Sequence, residues 1–176
     1  MPITGSSETC LVLIRGNSGS GKSTVARSLR EAMGYGTAWI EQDHIRRVLL
    51  REPDSPNGAN IGLIDQTARY ALDHGYTVIL EGILDSGRYG DMLTRLAADH
   101  LGLTLAYYFD VEFDETVRRH QSRPQAQVFS PQDMADWYRP FDLVEGLNET
   151  RIAETETADD VVHRIMVDAA EKQRHD

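Results

Sequence analysis

Residues 14–24 read IRGNSGSGKST and follow the apolar run Cys10, Leu11, Val12, Leu13 and Ile14 without a break. Gly16, Gly19 and Gly21 precede Lys22 there, and the spacing Gly16-x4-Gly21-Lys22-Ser23 satisfies G-x-x-x-x-G-K-[ST]. Glycines let a loop curl until successive backbone N–H groups point inward at a polyphosphate. Residues 10–15 read as a strand buried on both faces. Val25, Ala26, Leu29 and Met33 then recur at helical spacing until Gly34. Strand, glycine loop and helix in this order are the context in which such a loop binds phosphate. The helix N-terminus adds free N–H groups and the positive end of its dipole. Gly16, Asn17, Ser18, Gly19, Ser20, Gly21, Lys22, Ser23 and Thr24 are therefore the expected nucleotide cradle. Within it, Lys22 reaches the outer phosphates and Ser23 holds Mg2+.

The alternation continues along the chain. Strands are expected at 37–41, 77–81, 103–110 and 150–154. Helices are expected at 43–50, 61–74, 88–100, 114–123, 130–138 and 157–172, the helix at 130 opening on Ser-Pro with Asp133 three residues on. Five strands alternating with helices imply a parallel sheet covered on both faces. The 176 residues, 40% of them hydrophobic, suit one domain with one core. A formal charge of −10, from 28 acidic and 18 basic residues, repels a long polyanion and argues against nucleic acid and membrane surfaces. The single cysteine, Cys10, cannot form an internal disulfide. With no charged-then-apolar leader before it, the expected compartment is the cytoplasm. Apolar runs such as LVLI and TVIL are far below the roughly 20 residues of a membrane helix.

A phosphate loop alone leaves the reaction open. There is no Asn-Lys-x-Asp segment, and Asp99-His100-Leu101-Gly102 fits D-x-x-G only at the end of a helix. These features weigh against a GTPase. Glu41-Gln42-Asp43-His44-Ile45-Arg46 follows the second strand, so it emerges at the carboxyl edge that carries the loop. Asp43 could take a proton from an attacking hydroxyl, or merely cap a helix. Arg46, on the same helical face, could orient the acceptor. Glu81 ends the run TVILE and could hold water around Mg2+ or bind an acceptor hydroxyl. Arg88 lies just downstream. Arg118, Arg119 and Arg123 sit on one helix and its end, where guanidinium groups could close over phosphates or form an exposed basic face. The histidines lack zinc spacing.

GNSGSGKST, QDHIR and YYFDVEFDETVRRHQSRP together resemble the small phosphate-loop kinases of the adenylate-kinase-like division. That group includes AAA_33 domains, zeta toxins, chloramphenicol phosphotransferase, gluconate kinase and the 5′-kinase domain of phage-type polynucleotide kinase. The resemblance runs from about residue 10 to 138. It implies a three-layer α/β sandwich with a five-stranded parallel sheet of order 2-3-1-4-5, helices on both faces and a short lid near 119–140, all within one domain spanning 1–176. It further implies Asp43 as general base, Arg46 as acceptor contact, Arg119 and Arg123 as lid groups, and ATP with Mg2+ as cofactors. Glu81-Gly82 is more like the zeta toxin or nucleotide-kinase pattern than the polynucleotide kinase one. The expected activity is transfer of the ATP γ-phosphoryl group to a hydroxyl of a small molecule, of nucleoside, sugar or antibiotic type. Catalysis is assigned to Lys22, Asp43, Arg119 and Arg123, acceptor binding to Asp43, Arg46, Glu81 and Arg88, and metal binding to Ser23 and Glu81. The alternatives are a polynucleotide 5′-hydroxyl kinase and a nucleotide-binding module without turnover. Oligomeric state and preference for ATP over GTP stay open.

Overall fold

An unbroken apolar strand needs pairing on both edges and cover on both faces. The computed structural model, which describes residues 3–121 and 130–172, supplies both. Strand β1 (Cys10–Gly16) is buried along its whole length at the centre of a five-stranded sheet. It pairs in parallel with β3 (Thr77–Gly82) and β4 (Leu103–Asp110), with Ile14 in register with Glu81 and Tyr107. The edge strands β2 (Thr37–Glu41) and β5 (Thr150–Ala153), also parallel, complete the order β2-β3-β1-β4-β5. The expected order 2-3-1-4-5 is the observed one.

The period of two along β1 divides the core. Leu11 and Leu13 pack with Ile64, Ala68 and Leu72 of α2 (Ala59–Asp73) and with Met92, Leu93 and Leu96 of α3 (Ser86–Asp99). Val12 and Ile14 face the other way, onto Val25, Ala26 and Leu29 of α1 (Lys22–Met33) and Val161 and Ile165 of α6 (Ala158–Lys172). Shaving a fully buried leucine such as Leu29 to alanine costs about 2–5 kcal/mol. Cys10 belongs to this second layer, and burial pushes its thiol up to about 11, which suits packing rather than chemistry. Among the described residues, no helix is long and apolar enough to cross a membrane.

Two short helices, α4 (Phe113–Gln121) and α5 (Pro131–Trp137), flank residues 122–129, which lie outside the described residues. Helix α5 starts at the expected Ser-Pro: Ser130 caps it, and Asp133 accepts the Ser130 N–H in a capping box. The expected helix at 43–50 is instead a wider π-helical segment, His44–Leu49, closed by the Leu50 N–H on the Ile45 carbonyl at 3.0 Å.

The one charge in β1 is wholly buried. Arg15 donates through Nε and Nη2 to the Leu84 carbonyl at 3.0 and 2.8 Å, and its Nη1 meets Glu149 Oε1 at 2.7 Å. Nη2 also reaches both the carbonyl and the carboxylate of Asp142 at 3.0 Å. Asp142 in turn accepts the Ser86 N–H at 2.9 Å, so one guanidinium ties residues 142–149 and the start of α3 to the carboxyl edge of the sheet.

Candidate active site

The glycine loop leaves β1 at that carboxyl edge and turns directly into α1. Gly19 adopts φ +77°, and a Cβ there would lie 2.6 Å from the Thr116 carbonyl oxygen, so α4 can close against the loop only over glycine. Gly21, with φ +104°, precedes the first turn of α1, and no side chain caps that helix, so its first N–H groups are left without a side-chain acceptor. Lys22 is buried, its Nζ donating to the Asn17 carbonyl at 2.7 Å with Ser20 Oγ at 3.4 Å. Ser23 Oγ donates to Glu81 Oε1 at 2.9 Å. This joins the first turn of α1 to the top of β3. Burial raises the Glu81 carboxyl above its ordinary range, and the Glu41 and Asp43 carboxylates push the same way, against the Lys22 ammonium and the Ser23 hydroxyl.

A cleft of about 370 Å3 opens over this pair. Its described lining includes Ser18, Gly19, Gly21, Lys22 and Ser23 from the loop side and Glu41, Asp43, Arg47 and Val48 from the far wall, with Glu81 at the floor. Asp43 is thus brought to the space that faces Lys22. Its carboxylate is 58% exposed and is held by Arg46 at 3.0 Å and Arg47 at 3.3 Å. Arg27, His44 and His120 also line the cleft. Arg27, Arg47 and His120 occupy no motif position in the sequence. Arg27 lies one helical turn beyond Ser23, and that i+4 spacing was the available signal. A larger, open depression of about 610 Å3 between α3 and residues 143–145 contains none of the loop residues.

Arg46 and Arg88 are engaged beside the cleft rather than in its lining. Arg46 donates to Asp43 and to the Glu52 carbonyl at 3.3 Å, while its buried Nε has no hydrogen-bond partner among the described residues. Arg88 pairs with Asp54 at 2.8 Å. Asp54 is held in turn by Tyr89, a fully buried phenol whose oxygen accepts from Gln42 Nε2 and lies 2.8 Å from both Asp54 Oδ1 and Asn60 Oδ1. Gln42 Oε1 accepts the Leu84 N–H at 3.2 Å, and a Cβ on Gly82 would sit 2.5 Å from that oxygen. The glycine after Glu81 therefore makes room for Gln42, whose neighbours in sequence are Glu41 and Asp43.

Arg119 is drawn to the loop from α4, its Nη1 donating to the Ser20 carbonyl at 2.9 Å and its Nη2 to the Glu154 carbonyl at 2.8 Å. Glu115 accepts from both Arg118 and Arg119, and these guanidinium groups hold its carboxyl down at about 2. Arg118 is 74% exposed, leaving Arg119 as the member of the pair at the loop. Arg123 lies outside the described residues.

A family model described as an AAA domain, AAA_33, matches residues 11–139. Among curated proteins no sequence match is found. Among solved structures, a gluconokinase from Sinorhizobium meliloti 1021 superposes with TM-score 0.63 at 18% identity, covering 99% of this chain and 97% of that one. The APS kinase of Mycobacterium tuberculosis, in complex with AMPPNP and APS, gives 0.67 at 19% identity, covering 97% and 99%. The tunicamycin resistance protein of Deinococcus radiodurans gives 0.63 at 17% identity, covering 91% and 95%. At such identities these structures show a shared fold, that of the phosphate-loop kinases.

Proposed function

Because the chain belongs to the AAA_33 family, we propose that it is a single-domain kinase that moves the γ-phosphoryl group of ATP to a hydroxyl of a small molecule, of nucleoside, sugar or antibiotic type. The observation that carries this reading is that Asp43 lines the same cleft as Lys22, Ser23 and Glu81. A cradle for phosphate and a carboxylate able to take a proton thus face one volume.

In this reading the loop amides and Lys22 bind the phosphates and offset the charge that gathers on the transferring group. The acceptor oxygen attacks the γ-phosphorus, the bond to the β,γ-bridging oxygen breaks, and ADP leaves. Asp43 receives the hydroxyl proton. Its two arginine partners orient the carboxylate toward the cleft, while Arg119, joined to the Ser20 carbonyl, borders the phosphates from the side of α4. Arg123 is a further proposed contact from the lid. Arg46 and Arg88 shape the acceptor wall through Asp43 and Asp54, and direct contact with acceptor requires each to leave its present partner.

The donor set suits Mg2+. Ser23 and Glu81 place a hydroxyl and a carboxylate 2.9 Å apart, and among the described residues no three His, Cys, Asp or Glu side chains gather as a cage. Mg2+ is typically held by one or two protein oxygens, the substrate phosphates and water. When bound, it would be held by Ser23 and Glu81 and would supply positive charge against the phosphates.

The test is a transfer screen with mass detection, offering ATP and a panel of sugars, nucleosides, antibiotics and a 5′-hydroxyl oligonucleotide. Phosphorylation of a small alcohol, lowered roughly 100-fold or more in Asp43→Asn with binding of an ATP analogue retained, is the expected result. Normal turnover in that variant removes the base assignment. Transfer to the oligonucleotide alone selects the polynucleotide reading, and binding without any product selects a module without turnover.

A further inference from the structure

Asn17 contributes more to the loop than main-chain amides. Its side chain is 5% exposed by residue and forms a reciprocal pair with the backbone of Arg139: Nδ2 donates to the Arg139 carbonyl at 2.8 Å, and Oδ1 accepts the Arg139 N–H at 2.9 Å. The Tyr108 hydroxyl lies 3.2 Å from the same carbonyl and accepts the Asp142 N–H at 3.2 Å. Just beyond, Asp142 and Glu149 are held by Arg15, two positions before Asn17 in the chain. The main-chain carbonyl of Asn17 meanwhile accepts Lys22 Nζ at 2.7 Å and the Ser20 N–H at 3.3 Å. One residue therefore sets the lysine with its backbone and is itself fixed, through its side chain, from outside the loop. A carboxamide carries a donor and an acceptor at one end, as matching a peptide requires; aspartate loses the donor and alanine loses both.

We propose that Asn17 is a positioning residue. It locks the start of the phosphate loop, and with it Lys22, to the backbone of Arg139, so that filling the loop and ordering residues 139–149 rise and fall together. The coupling rests on the loop being a triphosphate site; the lock itself does not.

Hydrogen exchange of the full chain, with and without Mg2+ and a non-hydrolysable ATP analogue, tests both parts. In the ligand-free protein, Asn17→Ala removes the acceptor for the Arg139 N–H, and exchange at Arg139 should quicken roughly tenfold. Asn17→Asp keeps that acceptor and should fall between wild type and alanine. Affinity for the analogue should drop roughly tenfold in Asn17→Ala, because Lys22 is no longer held in register. In wild type, the analogue should slow exchange at Arg139. A role confined to stability would speed exchange throughout the chain and leave the affinity unchanged. Equal Arg139 exchange in wild type and Asn17→Ala overturns the lock, and so does unaltered affinity in that variant. Should Asn17→Ala fail to fold, Arg139 exchange that ignores the analogue in wild type overturns the coupling. If wild type binds no analogue, the kinase reading and the coupling fall, while the ligand-free comparison still decides the lock. Binding without phosphorylated product removes the kinase reading alone.

Discussion

Replacing Arg15 by methionine isolates a fully buried electrostatic commitment at the carboxyl edge. The side chain is 0% exposed, and its ion-pair partners Asp142 and Glu149 are 15% and 1% exposed. Methionine fills much of the volume but leaves both carboxylates without the guanidinium. Asp142 retains the Ser86 N–H and hydroxyl, while Glu149 retains only the Val144 N–H at 2.8 Å among the described residues. Breaking a buried pair from one side typically costs about 3–5 kcal/mol, because the remaining charge is stranded in a poorly solvated place. For a chain of this size that amounts to a fall in Tm of roughly 6–20 °C. Urea unfolding followed by circular dichroism measures it, with the midpoint expected to fall by roughly 1 M or more. Arg15→Met combined with Glu149→Gln should recover about half of the loss, since glutamine still accepts the Val144 N–H and carries no charge. A single variant within about 1 kcal/mol of wild type, or a double variant no more stable than the single, refutes this accounting.

Glu81→Gln should trade activity against stability. The folded carboxyl titrates above the ordinary 4.5, so the native state keeps its proton longer than the unfolded chain does. Wild type therefore loses stability as pH rises from 4.5 until the buried group ionises, and glutamine escapes that loss. The variant should be at least as stable as wild type at pH 7, the difference closing below pH 4.5 in thermal melts, while Mg2+-dependent turnover falls roughly 10–100-fold. His100 acts in the opposite sense. Its ring sits between Thr9 and Thr104, both at 2.9 Å, and burial lowers its pKa from 6.5. Acidification below pH 6.5 should destabilise wild type until the folded ring itself takes up a proton, and His100→Gln should flatten this part of the stability curve.

The parts of this site that are local in the chain were legible in the sequence. Gly16, Gly21, Lys22 and Ser23 are fixed by spacing, and their strand and helix flanks follow from unbroken apolarity and then helical periodicity. The apolar runs of β1, β3 and β4 are legible because the centre of the sheet is covered on both faces, whereas β5 buries only Ile152 and leaves a weaker trace. Distant partners left little trace. Arg15 read as the tail of an apolar strand, yet a charge at the end of such a run requires buried counter-charges, and these lie 127 and 134 residues away. Arg46 and Arg88 were expected at the acceptor, but nothing in their spacing indicates that Asp43, the Glu52 carbonyl and Asp54 engage them first. The carboxamide of Asn17 was hidden for the opposite reason: it sits in a motif whose chemistry belongs to the backbone.

Titration calorimetry of Mg2+ with a non-hydrolysable ATP analogue into wild type and Lys22→Ala addresses the phosphate loop most directly. Binding at one site per chain in wild type, weakened by roughly 100-fold or more when the ammonium is removed, is the expected result. No binding to wild type, or equal binding to both proteins, contradicts a triphosphate seated against Lys22.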